Sequence, residues 1–500
     1  MRTLSAVLFS CALIPLFSCG DSCEFGANCW VSSSENRSIQ IHGTAEFSDD
    51  DRDVKSLTPG GFVLIREGSW MNPYREYKVQ ADDNGNLTRT YFVDGQKRPL
   101  NGAAQAWVAA EMLRLIRETG IGAAARVQRI LRAGGPTAVL TEIAQIDSDG
   151  SKRTYLRELI DNGHLNEGQF RDAMRAARRI GSDGDKAQLL IDVADQYLRD
   201  DLREAWFNAA SSIGSDGDRR RVLGEAVRQD RSGETLALAA RSAGGIGSDG
   251  DKSALLVEIA HDFKPQARQA WFHAASTIGS DGDRLNALRA LLRSSNTQPD
   301  TMVDLLHCAA GIGSDGDKAA LLRDAAAYPL TDPAVQHAFF TAANTMGSDG
   351  DRASVLSALL TGPSRDAGVL AGIADSARHI GSDGDKASVL TRVADARMDE
   401  PSARQSFFAA VNTIGSDDDR TRVLTQVIRQ QGVPAETVVA AIEAAASIGS
   451  DDNKARLLVL AADTHAADPA VRAALEKALE SIHSDNDYRR VTSALLHKTT

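Results

Sequence analysis

Aromatic residues make up only 5% of the 500-residue chain. A core with so few large rings points away from an aromatic-rich sandwich and toward closely packed, alanine-based helices. A basic surplus is also missing. There are 56 Lys and Arg against 68 Asp and Glu, a net charge of −12, so the cationic footprint that nucleic acid demands is absent and nucleic acid is not expected as a partner. The five cysteines contain no Cys-x-x-Cys pair, which leaves zinc and thioredoxin-type chemistry without support. His-Glu-x-x-His and Gly-x-Ser-x-Gly are absent, and the ten histidines are scattered. His261-Asp262 reads as helix surface. No constellation for nucleophilic or acid–base catalysis exists, and a chain that is not an enzyme is expected.

The first residues read as a sorting signal. Arg2 precedes the apolar run from Leu4 to Phe17, too short for a membrane span but right for a signal core. The run ends in Leu16-Phe17-Ser18-Cys19, which resembles a bacterial lipobox and implies acylation of Cys19. Gly20 follows rather than Asp, which favours the outer over the inner membrane. The chain is therefore expected to be exported, periplasmic or an outer-membrane lipoprotein, touching the membrane only through its anchor. Residues 20–37 read as a tether. In it, Cys23 and Cys29 are close enough in sequence for a disulfide in an exported chain. Cys308 reads as a small hydrophobe in a helix.

Residues 38–99 alternate in polarity. Asn84-Gly85 and Asp94-Gly95 supply turns, so a small antiparallel sheet of about four strands is expected. Residues 100–145 switch to a helical period, giving two linking helices, the second stopped by Gly134-Gly135-Pro136.

Residues 146–500 are a repeat. The heptapeptide Ile180-Gly181-Ser182-Asp183-Gly184-Asp185-Lys186 recurs eleven times, starting at residues 146, 180, 213, 246, 278, 312, 346, 380, 414, 448 and 482. This fixed period signifies stacked units. In each, an A helix such as 186–197, with residues 187, 190, 194 and 197 on one face, precedes a B helix in which 206, 209, 210 and 213 share a face. The expected fold is mainly α: a right-handed α-solenoid of about ten helix pairs, preceded by the small β domain.

The motif has a mechanical reading. Gly181 suits a left-handed helix end. Ser182 with Asp185 forms a capping-box pattern, and Asp183 and Asp185 sit in the positive first turn of the helix. The same roles fall to Ser215, Asp216 and Asp218; Ser248, Asp249 and Asp251; Ser280, Asp281 and Asp283; Ser314, Asp315 and Asp317; Ser348, Asp349 and Asp351; and Ser382, Asp383 and Asp385. Stacking would align these turns as an acidic ladder partly neutralised by a basic row. A calcium-binding ladder is the alternative use of the same carboxylates; no other metal or cofactor is expected. Gly245 to Gly250 and Gly311 to Gly316 fit Gly-x-Gly-x-x-Gly, but each follows a helix and is a by-product of the repeat. A two-repeat period also exists. Trp206-Phe207, Trp271-Phe272, Phe339-Phe340 and Phe407-Phe408 recur every second unit. Adjacent positions lie 100° apart on a helix, so one ring belongs to the core, and the other to the repeat interface or an exposed aromatic stripe, with the interface favoured.

The segments Asp49 to Phe62, Tyr91 to Pro99 and Arg126 to Leu131, with the Ser-Asp-x-Asp repeats, resemble the extracytoplasmic sheet-plus-helical-repeat (HEAT-like) region of bacterial envelope proteins. That family has no assigned function and is also found fused to antirepressor-type membrane metallopeptidases. The resemblance covers residues 38–500 and implies no catalytic residues. Relatives often carry Tyr after Ser-Asp, where this chain usually has Gly. The expected function is a non-enzymatic scaffold or sensor for a protein or peptide partner in the envelope.

Overall fold

The computed structural model describes residues 29–34, 36–69, 71–198, 202–294, 298–396 and 400–497. Cys19 and Cys23 lie outside them, as does the side chain of Cys29. The chain divides into two compact units, residues 1–213 and 214–500. It is mainly helical, with a repeated array of helices preceded by a small antiparallel sheet.

Among the described residues the first unit opens with eight strands: β1 (Cys29–Ser34), β2 (Arg37–His42), β3 (Ala45–Phe47), β4 (Val54–Leu57), β5 (Phe62–Ser69), β6 (Asn72–Ala81), β7 (Leu87–Val93) and β8 (Gln96–Arg98). Six form one antiparallel sheet in the order β1-β2-β5-β6-β7-β8, and β3 pairs with β4 separately. The sheet is larger than the four strands expected, and β1 occupies residues assigned to the tether. Asp94 and Gly95 both take positive φ, 48° and 76°, which suits the two-residue turn between β7 and β8.

Alternation places Ile39, Ile41, Val63, Ile65, Tyr77 and Val79 on one buried face. That face packs on helix α1 (Gly102–Thr119) through Val108, Met112, Leu115 and Ile116, in one hydrophobic cluster. The boundary drawn near residue 100 therefore cuts through a core, because a single sheet face needs a second layer to bury it. Helix α2 (Ala123–Ile143) does not stop at Gly134-Gly135-Pro136. It kinks at Gly135, φ 68°, and resumes.

The repeats follow as expected. Each A helix begins at the first Asp of its motif: Asp149–Asn162, Asp183–Asp192, Asp216–Gln229, and so on to Asp485–His497. Four B helices start with Pro at their first residue, at 299, 333, 401 and 469, where the missing amide hydrogen costs nothing. Ala187, Leu190, Ala194, Trp206, Ala209, Ala210 and Ile213 are all buried. No helix among the described residues is long and apolar enough to cross a membrane.

Candidate functional site

The repeated turn holds most of the sequence-singled residues, and its bonds differ from the capping-box reading. One half of that reading appears. Ser182 Oγ accepts from the Asp185 amide at 3.2 Å. Ser215, Ser248, Ser280, Ser314, Ser348 and Ser382 do the same for Asp218, Asp251, Asp283, Asp317, Asp351 and Asp385. The reciprocal bond does not form, because the serine amide is already taken by the first Asp of the preceding repeat. Asp149 accepts from Ser182 N at 2.8 Å. In the second unit Asp349 accepts from Gly381 N at 2.9 Å and Ser382 N at 2.8 Å. Asp216, Asp249, Asp281, Asp315, Asp383 and Asp417 bind the next Gly-Ser pair likewise. Asp451 binds His483 and Ser484. Each carboxylate is thus a staple from one repeat to the next. A complete capping box exists instead at Asn166 and Gln169.

The signal for the staple was in the repeat itself. The first Asp is present in all eleven copies, whereas the third helical position is Ser151 in one and Asn453 in another. The glycine before the serine is also corrected. None of these glycines has positive φ. A Cβ on Gly181 or Gly381 would instead lie 3.0 or 3.1 Å from the stapling carboxylate, so glycine serves close approach. The backbone bonds hold the carboxyl groups of Asp216, Asp281 and Asp349 below the ordinary aspartate value.

The basic row partly neutralises the acids, with Lys186, Lys386 and Lys454 lying 3.6, 4.0 and 3.1 Å from Asp183, Asp383 and Asp451, but it is buried. Lys186, Lys252, Lys318, Lys386 and Lys454 are at most 5% exposed. Each reaches the residue just before the next motif, at the C-terminal end of its own B helix. Lys186 donates to Ser212 O at 3.0 Å, Lys318 to Thr345 Oγ1 at 2.8 Å and Lys386 to Thr413 O at 3.0 Å. A cation there complements the helix dipole and orphan carbonyls. In alternate repeats Arg219 and Arg284 reach Gly245 and Gly311. A Cβ would come within 2.6 and 3.0 Å of those guanidinium groups. The two-repeat period is therefore an alternation of the cation at one seat: an ammonium meets Ser212, Thr277, Thr345, Thr413 or Ser481, and a guanidinium meets Gly245, Gly311, His379 or Ser447.

The aromatic pairs do not form an exposed stripe. Trp206, Trp271, Phe339 and Phe407 are fully buried, Phe207, Phe272 and Phe408 are buried, and Phe340 is half-buried. The indoles of Trp206 and Trp271 donate to Leu190 O and Leu256 O, both at 3.0 Å. Phe340 fills the space beside Gly372 of the next B helix, where a Cβ would lie 2.1 Å from its ring. Gly372→Ala is expected to lower stability by about 1–3 kcal/mol through overpacking, and Phe340→Leu in the same chain should restore most of it, read by thermal unfolding.

Among the described residues no group of three or more His, Cys, Asp or Glu side chains gathers as a metal cage. The first Asp of each turn is bonded to backbone amides, which competes with its use as a calcium ligand. Millimolar calcium or a chelator is expected to leave the melting temperature unchanged; a rise with calcium would reverse this. Cys308 is only partly buried; desolvation pushes its thiol up to about 11, so it is a poor nucleophile at neutral pH.

No family model matches the chain, and no curated protein matches it. Among solved structures it is similar to the Chs5-Bch1 exomer cargo adaptor complex at 8% identity, over 89% of this chain and 85% of that one. The TM-score is 0.18, too low to carry an argument.

Proposed function

We propose that this chain is a non-enzymatic scaffold of the bacterial envelope, exported and held by a lipid on Cys19, whose stacked repeats bind an extended protein or peptide partner. The stapled turn is the observation that carries this reading. A carboxylate locked onto the next repeat's amides, copy after copy, makes each pair of neighbours stiff and presents equivalent positions at regular intervals. Repeat proteins use such surfaces for binding. The likeness to the sheet-plus-helical-repeat region of envelope proteins supports the compartment.

The test uses photo-crosslinking residues in the full chain. One row replaces the exposed B-helix residues Arg241, His273, His307, Thr341 and Asp375. Another replaces Gly250, Gly282, Gly350 and Gly384, where a Cβ would meet open space. Crosslinks to one species from three or more repeats are expected along one row. Absence from both rows refutes the scaffold. Cys19→Ser is expected to move the chain from the membrane fraction to the soluble periplasm.

A further inference from the structure

The first repeat breaks the rule that places the buried cations. In the repeats that follow, the Lys or Arg after the second motif acid reaches the residue just before the next motif. The equivalent residue in the first repeat is Arg179. Two cations cannot share that seat. Lys152 turns away and donates to Asp147 O at 3.0 Å and Asp149 Oδ1 at 3.2 Å. The Arg179 side chain makes no hydrogen bond or ion pair within the described residues.

Where the regular bond is missing, a cleft of about 610 Å³ opens between the second half of α2 and the B helix Glu167–Ala177. Leu140, Ile143 and Ala176 form its apolar wall, and Lys152, Arg175 and Arg179 line its charged side. Asp147 and Asp172 also line it, and Asp172 holds Arg175 at 2.8 Å. Arg179 is left without a counter-charge. The volume and the mixed lining are those of a small-ligand site.

We propose that this cleft binds an anionic amphiphile, with a carboxylate or phosphate head between Lys152 and Arg179 and a short apolar chain along Leu140, Ile143 and Ala176. An anion gives Arg179 a counter-charge and adds to the bonds that Lys152 already makes with Asp147 O and Asp149, and the apolar wall favours a ligand with a hydrocarbon part over a bare ion. The site does not depend on the scaffold reading.

The experiment is calorimetric titration of the full chain with octanoate and with octyl phosphate. Acetate, inorganic phosphate and octyltrimethylammonium serve as comparisons. Binding of at least one anionic amphiphile is expected, and the tighter of the two assigns the head group. Arg179→Thr places at this seat the residue found at Thr277, Thr345 and Thr413, so Lys152 can take its regular position and folding is kept. It should weaken binding tenfold or more. Ala144→Phe, at the exposed rim of the cleft, should also weaken it while leaving the cations in place. Lack of binding by either amphiphile overturns the proposal. So does equal binding by Arg179→Thr, by the bare anions, or by the cationic amphiphile.

Discussion

Arg126→Met is expected to destabilise the first unit by about 3–5 kcal/mol, the cost of removing one partner from a buried charge network. Arg126 is only 6% exposed. Its Nε donates to Asp51 Oδ2 and a terminal nitrogen to Glu142 Oε1, both at 2.7 Å, and the same nitrogen reaches the Tyr155 hydroxyl at 3.2 Å. Arg117 holds Glu142 at 2.6 and 2.9 Å, and Arg129 also holds Asp51. Burial opposes the Arg126 charge, but Glu142, Tyr155 and Asp51 outweigh it and raise its pKa. Without Arg126, Asp51 and Glu142 each lose a close cationic partner. These groups sit on the loop between β3 and β4, on α2 and on the first A helix, so the sheet should loosen from the first repeats. Guanidinium unfolding followed by fluorescence, with limited proteolysis near residues 48–53, checks this. Arg126→Lys should fail as well, since one ammonium cannot serve two carboxylates as a planar fork does. A midpoint shift equivalent to less than about 1 kcal/mol, the size of an exposed pair, would show that the network does not clamp the unit.

Asp349→Ala is expected to cost about 2 kcal/mol, the lower part of the range for hydrogen bonds to a charged acceptor, since the edge is partly exposed to water. Both the Gly381 and Ser382 amides lose their acceptor. Asp349→Asn, which keeps one oxygen acceptor, should cost less. Because units couple mainly to nearest neighbours, the damage should appear as earlier exchange of amides in the repeats on either side. The same staples predict a pH dependence. Asp216, Asp281 and Asp349 have folded values below the ordinary one, so their stabilisation is complete above the unfolded value of about 3.9 and is lost as pH falls through the folded values. From these groups the melting temperature should be flat from neutral pH to about 5 and fall below about 4. Asp349→Ala should show a shallower acid fall than the parent chain. An equally steep fall in both would mean that other carboxylates control acid unfolding.

The alternation of residues 38–47, the Asn84-Gly85 hairpin and the Ser-Asp copies made the sheet and the helix pairs legible without coordinates, because each is a local pattern. Spacing alone also placed Trp206 and Ile213 in the core. The bonds of the turn were not legible to the same degree. Asp183 and Asp185 look like interchangeable first-turn acids in a single copy; only the packing of one turn against the next separates a staple such as Asp349 from a residue such as Asp351, whose amide alone is used. Gly181 is constrained for the same reason by a carboxylate distant in sequence, that of Asp149, and not by its own φ. The fusion of β-sheet and α1 into one core, the burial of the lysine row and the rupture at Arg179 all join residues distant in sequence. Local propensity and periodicity thus determined which elements form and where the repeats lie. Only the tertiary structure decided which charged groups are spent on holding the repeats together and which are left facing a cleft, because that depends on neighbours that periodicity does not name.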